Sequence, residues 1–234
     1  MGSITSSYLL SVVPCDILHA HIDLDNEVLA REYFSTILLC EIFSRAEGPL
    51  YTLIRGNGYA YDASLCVYSW AGQMVFEIRD AADPVKAVQS FWELLKRMRE
   101  DPLEWEKLVG DFELDTARAG IAYRSCMESA TAAGVIGAAL GCCLKGFGSL
   151  ETQEKYFKKY LYLVDKEDLR NSFDKYVTRF LELSGNSITL ALTPSDNTKL
   201  VCEQLSEANP VRIKFARAAI DDFMINDVDP TEAI

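Results

Sequence analysis

The chain has 234 residues, 49% of them hydrophobic and 25% charged, which is enough apolar content for a sizeable core in one large domain or two small ones. Its 35 acidic residues outnumber 23 basic ones, for a net charge of −12. That balance excludes a surface built for nucleic acid or an anionic membrane, because phosphate binding needs clustered Lys and Arg. Seven cysteines, an odd number with no CxxC pair, suit buried free thiols in a reducing compartment, which points to the cytoplasm, with the mitochondrion as the alternative. The N-terminus lacks the basic and apolar regions of a signal peptide.

The stretch 6–14, SSYLLSVVP, alternates and reads as a strand that Pro14 ends. Over 24–45, Leu29, Tyr33 and Ile37, with Phe34, Leu38 and Ile42, recur at helical spacing, and Asp25 or Asn26 can cap the start. Residues 58–70 and 73–81 alternate on either side of an Ala-Gly turn and form a predicted hairpin. The helix over 83–100 is the clearest: Asp83 caps it, Pro84 fills its first turn, and Val85, Val88, Trp92 and Leu95 line one face.

A long helical region runs from about 103 to 144. Its last part, SATAAGVIGAALGCCL at 129–144, is uncharged but too short and too rich in small residues to span a bilayer, and is expected to be a tightly packed buried helix. Charged helices follow over about 150–162 and 166–183, then a strand over 187–194 and a helix over 197–208. No linker parts the chain. The expected organisation is one α+β domain over 1–208, helices covering an antiparallel or mixed sheet, with 209–234 as a C-terminal extension.

Chemistry-bearing motifs are sparse. His19 and His21 sit two apart among acids, an arrangement that serves either a surface metal site or a solvated loop. Cys15 and His19 are close, but nothing supplies the third group that a cysteine nucleophile needs. HxxEH, HExxH, GxxxxGK[ST] and a strand-borne GxGxxG are all absent.

The stretch that calls for explanation is GPLYTLIRGNGYAYDAS, 48–64, between the first helix and the hairpin. It places Arg55 and Tyr61 six residues apart around Gly56 and Gly58. Glycines there permit positive φ or close backbone approach. Arginine offers five donors in a rigid fork, and tyrosine adds a hydroxyl on a flat apolar ring. The set suits gripping an extended peptide. It equally suits a connecting loop whose arginine pairs with an acid and whose tyrosines pack.

This stretch resembles the C-terminal half of the pitrilysin/insulysin/presequence-protease zinc metallopeptidases (inverzincins). These carry Leu-x-x-x-(Ile/Leu)-Arg, a glycine-containing spacer and a Tyr before a strand, here Leu50, Ile54, Arg55 and Tyr61. The first strand, the helix ending EIFSRAEGPLY, the DPVKAVQSFWELL helix and the SITLALTP strand follow the same order, so the resemblance covers about 6–208. It implies a pitrilysin-like C-terminal domain, one of four that close around peptide substrates.

In that family zinc is held by HxxEH in the first domain, so the resemblance implies no cofactor in this chain and no hydrolysis by it alone. It implies that Arg55, Tyr61, Gly56 and Gly58 contact substrate and that a zinc-bearing sister domain or chain is the partner. Asp62 departs from the small residue that close relatives often have, so local contacts differ. The chain is then a fragment, a split-gene product or a shortened paralogue. An inactive scaffold subunit of a larger complex and an unrelated binding domain are the other readings.

Overall fold

The structure, a computed structural model, describes residues 5–17, 25–128, 130–144, 147–183, 187–209 and 215–216. Four strands form one antiparallel sheet in the order β2-β3-β1-β4: β1 (Ser7–Pro14), β2 (Ala60–Tyr68), β3 (Gln73–Ala81) and β4 (Ile188–Leu192). The fold is α+β, as expected. Alternation along β1 sends Leu9, Ser11 and Val13 into the core and Tyr8 and Leu10 outward. A bulge between Ser7 and Leu9 coincides with Asp80 at φ 50°, whose carboxylate accepts the Tyr8 and Ser6 hydroxyls.

The helices cover the inner face. In α1 (Glu27–Ser44), Asn26 accepts the Val28 and Leu29 N–H groups, and Phe34, Leu38 and Ile42 are fully buried. In α2 (Pro84–Glu100), Asp83 caps from the Lys86 N–H, and Val85, Val88, Trp92 and Leu95 are buried as the spacing requires. Phe91 of α2 stacks on Phe76 of β3 at 3.8 Å between centroids, with Phe180 edge-on to Phe91 at 5.4 Å. That aromatic triplet joins the hairpin, α2 and the chain's later helices in one core.

The region expected as one long helical run divides into α3 (Pro102–Leu108), α4 (Asp111–Glu128) and α5 (Ala132–Leu144). Asp101 ends α2 and caps α3 through the Leu103 N–H, so one side chain resets the chain direction. Beyond these lie α6 (Leu150–Tyr160), α7 (Lys166–Ser172), a π-turn at Phe173–Val177, α8 (Arg179–Glu182) and α9 (Thr198–Ala208). No single helix among the described residues is long and apolar enough to cross a membrane.

Two expectations need correction. Helix α5 is not buried: Cys142 is its one buried residue, while Ile136 is 71% and Leu140 61% exposed. An uncharged composition states what a helix can bury, not whether a neighbour is present, and here α5 lies at the periphery against α4 and α6. The cysteines are all free but only partly buried. Cys15, Cys40 and Cys142 are buried, Cys66 and Cys202 half-buried, and Cys126 and Cys143 exposed.

The sheet's outer face also stays open. Tyr8 and Leu10 of β1 and Ile188, Leu190 and Leu192 of β4 share it and remain between 37% and 66% exposed.

Candidate functional site

The chain between α1 and β2 is pinned from inside. Leu50 and Ile54 are fully buried and anchor a single π-turn, Tyr51–Arg55. Its wide bonds are explicit: the Gly56 N–H donates to the Tyr51 carbonyl at 2.9 Å and the Tyr59 N–H to that of Ile54 at 3.0 Å. A Cβ on Gly56 would lie 2.4 Å from the Thr52 carbonyl oxygen, so a larger residue would force the turn open. Gly58 sits at φ +72°, the left-handed region that glycine enters without strain. The Tyr59 carbonyl then accepts the Ala82 and Asp83 N–H groups, which ties the loop to the start of α2.

This path brings the residues singled out from sequence into one cluster. The Arg55 guanidinium carbon lies 4.5 Å from the Tyr61 ring centroid and 5.2 Å from that of Tyr51. Tyr61 is 63% exposed, and Arg55 and Tyr51 are exposed as well. Among the described residues no carboxylate pairs with Arg55. The loop reading in which Arg55 is held by an acid is thus replaced by one in which two ring faces hold it. Tyr51 was missed from sequence, although its place four residues before Arg55 on a helical stretch puts both on one face.

A cleft of about 520 Å³ lies between β2, α1 and α4, with Tyr33, Ile37, Leu65 and Asp62 among its lining residues. An Arg124–Glu41 ion pair joins α4 to α1 across it. The edge of β2 is not a free template along this cleft. The Ser44 hydroxyl accepts the Leu65 N–H at 2.7 Å and donates to the Leu65 carbonyl at 3.0 Å, occupying both edge-facing backbone groups. The cleft thiols are not activated: burial pushes Cys66 up and Cys40 well above the usual thiol range.

Burial also pushes Cys15 up to about 12, so it is no nucleophile at neutral pH, and its proposed companion His19 lies outside the described residues, as does His21. Among the described residues no three His, Cys, Asp or Glu side chains are grouped to hold a metal ion. No zinc step is assigned to the described residues.

No family model and no curated protein sequence matches the chain. Solved structures do. An M16-like peptidase from Alicyclobacillus acidocaldarius superposes with a TM-score of 0.60 at 15% identity, over 82% of this chain and 42% of that one. The inactive peptidase domain of a zinc protease from Bordetella parapertussis gives 0.56 at 14%, over 82% of this chain and 96% of its own. A protease from Helicobacter pylori gives 0.56 at 12%, over 83% and 43%. At these identities the likeness establishes the fold. This chain thus spans nearly all of the Bordetella domain and under half of the other two chains.

Proposed function

We propose that this chain is a non-catalytic C-terminal domain of a pitrilysin-like zinc metallopeptidase, gripping peptide substrate across a closed chamber from zinc carried by another domain or chain. The observation that carries the reading is the Tyr51–Arg55–Tyr61 stack, an exposed guanidinium oriented by ring faces instead of being neutralised by an acid. Its fork of donors suits peptide carbonyls or the oxyanion that develops on one of them, and the Tyr61 hydroxyl adds a donor beside it. Gly56 and Gly58 set the loop so that a ligand backbone can approach. The fold likeness to M16-like peptidases supports the reading, and so does an outer sheet face suited to a sister domain.

The test is to recover the partner from the native source, assay peptide cleavage by the pair, and repeat with Arg55→Ala. A steep loss of turnover efficiency is expected. A scaffold role is the second reading, favoured by the amount of exposed apolar surface on α5 and the sheet. It expects assembly with the partner but cleavage indifferent to Arg55→Ala.

A further inference from the structure

The two edges of the sheet are treated differently. At β2, Ser44 occupies both outward backbone groups of Leu65, and Asp62 places a charge on the strand. Such devices keep an edge from pairing with another chain. Among the described residues β4 has none of them. Its five residues, ITLAL, carry no charge and no proline, and its register with β1 runs unbroken from Tyr8↔Leu192 to Val12↔Ile188, with no bulge. Every residue of β4 is at least partly exposed. Among the described residues its backbone pairs with β1 alone, which leaves one row of N–H and C=O groups unanswered.

The strand is also complementary to itself. Pairing two copies antiparallel about Leu190 sets Ile188 opposite the second copy's Leu192 at both ends and Leu190 opposite Leu190 in the middle. All of these lie on the outer face. Thr189 meets Ala191 on the other face, small against small. Large side chains therefore meet large ones and small meet small, and no charge enters the seam in a chain whose net charge is −12.

We propose that β4 is a homodimerisation edge: two copies of this chain join β4 to β4 in an isologous, antiparallel pair, forming one continuous eight-stranded sheet. The outer-face residues of β1 and β4 from both copies then form one apolar surface across the seam. The proposal does not depend on the peptidase reading.

The experiment measures the mass of the full chain by light scattering and sedimentation over a concentration series, with circular dichroism to confirm folding. The wild-type chain is expected to dimerise reversibly. Leu190→Lys opposes two like charges at the two-fold axis and should weaken the dimer by roughly fivefold or more. Leu190→Glu should do the same, and mixing the two variants should restore it. Leu10→Lys, on the same face but one strand in from the seam, should leave the dimer intact. If Leu190→Lys fails to fold, Ile188→Lys/Leu192→Lys opposes like charges at both ends of the seam and is read the same way.

A monomer at every concentration and in raised salt overturns the proposal. So does a dimer indifferent to Leu190→Lys. Loss of the dimer in Leu10→Lys as well overturns it in favour of face-to-face packing of the two sheets.

Discussion

Replacing Arg55 by alanine separates a binding arginine from a structural one. The side chain is exposed and has no ion-pair partner among the described residues, so its contribution to folding comes from the two ring faces at 4.5 and 5.2 Å. An exposed cation–π contact contributes about 0.5–1 kcal/mol. Two of them give a destabilisation of about 1–2 kcal/mol for Arg55→Ala, a drop in Tm of roughly 2–8 °C for a domain of this size. Tyr61→Phe keeps the ring and should stay within about 0.5 kcal/mol. A cycle of Arg55→Ala with Tyr61→Ala should then show a coupling of about 0.5–1 kcal/mol. Thermal and urea unfolding of the four proteins measures this. In the assembled peptidase, the same Arg55→Ala should lower kcat/KM by about 10²-fold or more, the usual cost of losing one donor to a developing oxyanion. A destabilisation above about 4 kcal/mol would identify a buried or paired arginine. That result, or unchanged kcat/KM in the assembly, refutes the assignment.

Ser44→Ala removes a hydroxyl that serves both backbone groups of Leu65, and should cost about 1–3 kcal/mol by chemical denaturation; an unchanged midpoint would mean that water replaces it freely. Thiol labelling of the native chain should modify Cys126 and Cys143 rapidly and spare Cys15 and Cys40 until unfolding. Because folding raises the Cys15 pKa from 9.0 to about 12, its stabilising contribution is complete below pH 9 and is lost progressively as pH rises towards 12, so Cys15→Ala should flatten the alkaline end of the stability profile in that window. Zinc measured after tag-free purification and dialysis should be far below one equivalent, and a full equivalent would redirect attention to His19 and His21.

Much of this fold is written locally. The caps at Asn26, Asp83 and Ser149 and the first-turn Pro84 satisfy helix ends with neighbours a few residues away, so composition alone locates those helices. Alternation placed β1, β2 and β3, because each has a buried and a more exposed face, and it placed β4 as well, although no residue of β4 is fully buried. What failed was non-local. The exposure of α5 depends on which elements lie beside it, and an uncharged Ala/Gly-rich run looks the same buried or bare. The site shows the same division. Arg55, Gly56, Gly58 and Tyr61 stand out by residue type and spacing. Tyr51 was equally legible by its four-residue spacing from Arg55, whereas the π-turn that carries both is announced by no propensity.

The cluster and the bare surfaces bear on each other through the sheet. Tyr61 stands on β2, whose edge is occupied by Ser44 and flanked by the cleft, while the apolar outer face and unguarded edge lie on β1 and β4. The strand that carries Tyr61 and the proposed seam are therefore the two opposite edges of one antiparallel sheet. The strands between them, β3 and β1, are bound on both sides and contribute Leu9, Val13, Phe76 and Ile78 to the core. A partner seated at β4 as proposed would meet the sheet at the edge opposite Tyr61. Variants at the seam should accordingly change assembly while leaving the Arg55–Tyr61 coupling energy as it was.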